Sequence, residues 1–216
     1  MTSQAIRDPN TDQLLTPANS TLIMIDYQPV QVSSVQSMDQ ALLVDNIVRV
    51  AKTARVYGLP IVVSTVNVKT GRNQPFIPEL QAVLPPGDAI DRTTINAWED
   101  TEFVDAVKAT GRTKLIMTAL WTEACLAFPA LDAMREGYEV YPVVDAVGGT
   151  STLAHETALD RIVQAGAKPV GWVQLICELQ RDWARTETVK PFMDILFDPN
   201  VPFVAAERRG AERPGG

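Results

Sequence analysis

The chain is poor in the residues that build metal centres and disulfide scaffolds. Among 216 residues it has two cysteines, Cys125 and Cys177, and one histidine, His155. Two cysteines far apart in so long a chain exclude a disulfide scaffold and suit a reducing cytoplasm. One histidine leaves an all-protein zinc site short of its usual ligands, so no metal is expected. A histidine-centred triad would have to use His155 itself. Basic residues are outnumbered, 19 against 26 acidic ones, for a net charge of -7. The chain lacks the basic footprint that nonspecific nucleic-acid or anionic-membrane binding needs. Its apolar runs, such as 21–25 and 60–63, are strand-sized and far too short to span a bilayer. The polar opening, residues 1–8, carries no apolar signal core. The expectation is a cytoplasmic protein with no nucleic-acid and no membrane partner. No Gly-x-Gly-x-x-Gly follows the first strand, and Gly148-Gly149-Thr150-Ser151 has no Walker lysine. Neither Ser33-Ser34 nor Ser151 sits in a Gly-x-Ser-x-Gly elbow. Nucleotide binding is unsupported, and no cofactor is expected.

What is present is a globular composition, 46% hydrophobic and 21% charged. Strand-like apolar runs at 21–26, 60–65, 89–92, 114–119, 138–144 and 169–173 alternate with segments of helical period. Those helices are expected at 38–57, 100–110, 122–136, 151–165 and 175–184. Asp100 or Thr101 would cap the second of these, and Gly58, Gly111, Gly137 and Gly166 stand just past helix ends. The alternation implies an α/β fold, a mostly parallel sheet with helices on both faces. The reading divides the chain into an N-terminal extension (1–20), one domain (21–198) and a mobile C-terminal tail (199–216). The connector 66–86 is long and rich in Pro, Gly and Asn, as functional loops often are.

Ligands of such sheets bind beyond the carboxyl ends of the strands, where strand order reverses. Three residues stand out on that rule. Asp26 directly follows the first apolar run, which also fits a helix cap or a loop hydrogen-bonder. Cys125 follows the 114–119 strand, in the expected first turn of the next helix. Unpaired N–H groups and a partial positive charge there would lower a thiol's pKa and hold an oxyanion. A buried structural cysteine fits the same position. Arg92 follows the short third strand, where it could compensate Asp26 and favour a thiolate, or be a surface arginine. Cys177, beside Leu175 and Ile176, reads as packing. His155 lies inside a helix and reads as packed or hydrogen-bonded. Trp98, Trp121, Trp172 and Trp183 are mostly core candidates, with Trp121 placed at the expected pocket wall.

Taken in order, these places resemble a known family. Leu22-Ile23-Met24-Ile25-Asp26-Tyr27-Gln28 is similar to the opening strand of the isochorismatase-like cysteine hydrolases. Arg92-Thr93-Thr94-Ile95-Asn96-Ala97-Trp98 resembles their second motif, and Thr118-Ala119-Leu120-Trp121-Thr122-Glu123-Ala124-Cys125 their nucleophile loop. Cys177-Glu178-Leu179-Gln180-Arg181-Asp182-Trp183 resembles the YcaC-type subgroup. The resemblance implies a three-layer αβα, Rossmann-like fold with a six-stranded sheet in the order 3-2-1-4-5-6. It implies Cys125 as nucleophile, Asp26 as base, and the N–H groups of Ala124 and Cys125 as an oxyanion hole. A cis peptide at Leu120–Trp121 and a homo-oligomer follow from it too. Gln28, Asn67, Phe76, Asn96, Trp98 and Trp121 are then expected to bind substrate. The chain departs from the family in one respect, with Arg92 where most members have lysine. Arginine does not give up a proton near neutral pH. The expected activity is hydrolysis of a C–N bond in a small amide, carbamoyl or imide-like substrate. The alternatives are a vestigial binding or scaffold protein, a redox-sensing thiol protein and a vinyl-ether hydrolase.

Overall fold

Five short apolar segments pair into one parallel sheet. They are β1 (Ser20–Ile25), β2 (Ile61–Val66), β3 (Ile90–Arg92), β4 (Lys114–Ala119) and β5 (Glu139–Pro142). Their order is β3-β2-β1-β4-β5. The computed structural model describes residues 7–84, 87 and 89–197, so the expected tail 199–216 lies outside the described residues.

The sixth strand expected at 169–173 is reduced to one bridge, Val143 to Val170. Lys168 N donates to Val140 O at 2.8 Å and Val170 N to Pro142 O at 3.0 Å. Two residues beyond Val170, Trp172 N already donates to the Asp145 carboxylate at 2.9 Å and begins a helix. The strand is cut short by the helix start. The order of the first five strands is the expected one.

Helices cover both faces. They are α1 (Pro29–Ser33), α2 (Gln40–Val56), α3 (Pro78–Gln81), α4 (Thr101–Ala109), α5 (Ala127–Arg135), α6 (Thr152–Gln164), α7 (Trp172–Gln180) and α8 (Thr186–Leu196). Asp39, Asp100 and Ser151 cap α2, α4 and α6 through their side chains. The sequence reading assigns nothing to α8, which carries Pro191 in its interior. Burial of Phe192 and Ile195 holds it, a tertiary effect that overrides propensity. The strands alternate their side chains between the layers. Leu22, Met24 and Ile116 pack with residues of α2, α7 and α8. Ile23, Ile25, Leu115 and Met117 pack with residues of α4, α5 and α6.

The segment before β1 is built into this body. Leu15 is fully buried. Lys114, itself 3% exposed, donates from Nζ to the carbonyls of Asp12 and Gln13 at 2.6 and 2.7 Å. Arg181 pairs with Asp12 at 2.9 Å, and Leu15 N donates to the Glu178 carboxylate at 2.8 Å. Leu15→Ala is therefore expected to cost about 2–5 kcal/mol in chemical denaturation. Leu14→Ala, at an exposed position, is expected to stay within about 0.5 kcal/mol of the parent. Equal effects of the two would show that the segment is not part of the cooperative unit.

Candidate active site

β1 and β4 are neighbours, with Ile25 opposite Ala119. β2 lies on one side of this pair and β5 on the other. Whatever follows β1 and β4 therefore meets at the reversal of strand order, where such sheets bind ligands. Asp26 follows β1 and Leu120 follows β4.

Asp26 has φ +62°, a backbone conformation uncommon for a residue with a side chain. Its N–H donates to Ser64 O at 2.9 Å, and its carbonyl accepts from Gln28 N at 2.8 Å. Arg92 stands at the end of β3, two strands away. Strands lie about 4.8 Å apart, so only a long side chain reaches across β2. The guanidinium arrives end-on: Nη1 donates to Asp26 Oδ1 at 2.8 Å and Nη2 to Oδ2 at 2.7 Å. Nη1 also donates to Thr65 O, at 3.1 Å, and Nη2 to Ile95 O, at 3.3 Å. Both side chains of the pair are fully buried. Burial works against the Arg92 charge, yet the Asp26 carboxylate outweighs it and holds the guanidinium above its ordinary range. Ser64 and Thr65, which fix this cation, were not singled out in the sequence. Their position at the end of β2, between the other two, was the available signal.

The loop after β4 begins with a cis peptide at Leu120–Trp121, the position the family resemblance implies. A π turn, Thr122–Leu126, follows, and only then does α5 start. Cys125 thus sits in a widened turn ahead of the helix rather than in its first turn. Cys125 is 8% exposed, and its thiol lies close enough to Asp26 to feel that carboxylate. Burial and the adjacent Asp26 carboxylate push the thiol up to about 12, against the opposing pull of Arg92 and of a backbone bond from Trp121. This overturns the expectation of a lowered pKa. Burial is the largest of these causes, and the pull of Arg92 does not offset it. Ala124 N donates to Trp121 O at 3.2 Å in the same turn.

The remaining expected residues are committed elsewhere. Gln28 is fully buried and ties the loop after β2, donating to Val66 O and Gln74 O and accepting from Val66 N. Phe76 is in the core on the α2 side. Asn96 donates to Asp132 at 2.7 Å and caps Trp98 N. Trp98 packs edge-on against Phe103 and Tyr138, and its indole donates to Glu136 at 2.9 Å. Both residues tie the second motif to α5 and the residue that follows it. Trp121 donates to Ser34 Oγ at 2.9 Å. Asn67 has φ +63° and accepts from Thr70. Cys177 is exposed, not packed, because α7 turns Ile176 and Leu179 inward instead. His155 is hydrogen-bonded, as read from the sequence: its Nδ1 meets Thr122 Oγ1 at 2.8 Å. Among the described residues no three His, Cys, Asp or Glu side chains gather as a metal site. No helix among them is long and apolar enough to cross a membrane.

Known proteins share this arrangement. The Isochorismatase domain model matches residues 20–174. "Probable hydrolase YcaC" of Escherichia coli (strain K12) is 39% identical over 166 residues, covering 76% of this chain and 79% of its own. YcaC from Pseudomonas aeruginosa, solved with hexane-2,5-diol and covalent acrylamide, superposes with a TM-score of 0.84 at 33% identity. That match covers 93% of this chain and 98% of the other. The Escherichia coli YcaC structure, described as an octameric hydrolase of unknown specificity, gives 0.83 at 34% identity, over 93% and 97% of the two chains. With a family model spanning the whole sheet and both YcaC structures matching nearly end to end, the chain belongs to the isochorismatase family and is a YcaC-like hydrolase.

Proposed function

We propose that the chain is a cysteine hydrolase that cleaves a C–N bond in a small amide, carbamoyl or imide-like substrate. The observation that carries this reading is the buried thiol of Cys125 beside a carboxylate that a buried arginine holds at two points. The thiol rests protonated. As its sulfur attacks the substrate carbonyl, its proton passes to Asp26, so no free thiolate has to form beforehand. The tetrahedral oxygen is taken by N–H groups of the π turn, where the long Ala124–Trp121 bond yields to a charged acceptor. Asp26 returns the proton to the leaving nitrogen, and an acyl-enzyme remains. Water then attacks the acyl carbon, giving its proton to Asp26 and releasing the acid and the thiol. Arg92 stays charged throughout. It aligns both Asp26 oxygens and does not relay protons.

The covalent acrylamide on the Pseudomonas YcaC supports a reactive nucleophile on this scaffold. The redox-sensor alternative is weaker, since oxidation follows thiolate character and exposure and Cys125 has little of either. The octameric state of the Escherichia coli relative supports a homo-oligomer here as well.

Hydrolysis, read as ammonia release from small amides and ureas and as ring opening of cyclic imides by mass, is expected for at least one member of a panel, and none with Cys125→Ser. Hydrolysis that persists in the variant, or none across the panel, overturns the reading. Iodoacetamide labelling of Cys125 is expected to climb about tenfold per pH unit from 7 to 10. A plateau near neutrality would show instead that the thiol is ionised at rest. Arg92→Ala strands a buried carboxylate and is expected to cost about 3–5 kcal/mol in denaturant titration. A loss below about 1 kcal/mol would match an exposed pair and contradict the burial. Light scattering is expected to give a particle several times the mass of one chain, and a monomer would remove the likeness in assembly.

A further inference from the structure

The π turn is held on its far side by side chains that the proposed chemistry does not use. Thr122, its first residue, is completely buried. Thr122 N donates to Gly148 O at 2.9 Å, and Thr122 Oγ1 meets His155 Nδ1 at 2.8 Å. Burial pulls the His155 pKa down, against the opposing charges of Glu123 on the turn and Glu156 on its own helix. The neutral ring holds the Thr122 hydroxyl in either tautomer, accepting its proton at Nδ1 when Nε2 is protonated and donating to Oγ1 when Nδ1 is. Glu123, the next residue, accepts at Oε1 from Thr150 N at 2.9 Å and from Thr150 Oγ1 at 2.6 Å. Its other oxygen is buried against Gly149. A Cβ on Gly149 would lie 2.6 Å from that oxygen and 3.0 Å from His155 Cβ. Only glycine lets the three come together.

This threonine, histidine and glutamate do not form a second catalytic centre. The Thr122 hydroxyl is fully buried, so no substrate reaches it. The cluster's reach is to the turn itself. It pins two consecutive residues, Thr122 and Glu123, just ahead of Ala124 and Cys125. A turn pinned at that point fixes where the sulfur and its neighbouring N–H groups stand relative to Asp26.

We infer that His155 is a positioning residue for the nucleophile turn, acting through the hydroxyl of Thr122, with Glu123 bracing the same turn against Thr150. The inference rests on the reading of Cys125 as nucleophile, and its test separates the two. Acrylamide and iodoacetamide both alkylate a thiol, but they ask different things of the site. In acrylamide addition the sulfur bonds to the β-carbon, the C=C electrons develop as an enolate, and the thiol proton ends on the α-carbon. Both alkylations remove the thiol proton, but only acrylamide addition develops charge on a carbonyl oxygen, so only that step needs the N–H donors in place. In iodoacetamide alkylation the sulfur displaces iodide and the proton leaves to Asp26 or to solvent.

The rates of both reagents at Cys125 are measured by peptide mapping, with exposed Cys177 as internal control. In His155→Ala the acrylamide rate, divided by the iodoacetamide rate, is expected to fall about tenfold, as for a displaced reacting group. His155→Asn, whose amide oxygen can take the place of Nδ1, is expected to restore most of it. Thr122→Val should behave as His155→Ala and Thr122→Ser as the parent, which covers the case where one variant does not fold. An unchanged ratio in the folded His155→Ala and Thr122→Val proteins overturns the inference. So does an asparagine or serine variant no better than its disruptive counterpart, or the absence of any acrylamide adduct on the parent Cys125. If the ratios behave as expected but the parent hydrolyses nothing in the substrate panel, the hydrolase reading fails and the positioning role stands.

Discussion

Everything at this site depends on a charge pair that water does not reach. Asp26 and Arg92 have fully buried side chains and meet in a two-point bond. Taking both charges out of water costs several kcal/mol per ion, and mutual attraction repays it only when the geometry is good and the remaining donors are used. The fold supplies that geometry. β3 ends at Arg92, β1 ends just before Asp26, and β2 between them offers Thr65 O as a further acceptor. The pair is in turn what Cys125 faces. It leaves the sulfur beside a carboxylate, and that carboxylate together with burial favours the protonated thiol.

Replacing the family's usual lysine with arginine fits this division of labour. An ammonium is a point charge that can lose its proton when buried, whereas a guanidinium is a planar fork that does neither. Here the fork spans both carboxylate oxygens and still reaches two backbone carbonyls. In the proposed mechanism the basic position holds geometry and charge, and the proton transfers are assigned to Asp26.

The sheet was legible because most strands are short apolar runs and four of the helices end at a glycine. Asp26, Arg92 and Cys125 were legible because the end of a parallel strand is a place with meaning. The rest was harder for identifiable reasons. The direction of the thiol's shift depends first on its burial, which no spacing reveals. Asn96, Trp98 and Gln28 look like ligand-binding residues by type, but Asp132, Glu136 and the loop after β2 claim their polar groups. Those partners are distant in sequence. His155 was correctly read as a hydrogen-bonder, yet its partner on the nucleophile turn could be seen only once α6 was laid beside that turn. Residues 169–173 carry a strand's composition, but the helix start at Trp172 ends them after one bridge.

The π turn that carries Cys125 has a consequence for how this stretch of chain can vary. A π turn holds one more residue than an α turn. Each residue added to or removed from a helix rotates everything beyond it by about 100°. The extra residue here lets Cys125 face Asp26 while Ala127, Ala130 and Ala133 of α5 still face the core. A single deletion between Leu120 and Ala127 would rotate either the thiol away from its carboxylate or the alanine face away from the sheet. The segment can therefore tolerate exchange of side chains far better than a change of length.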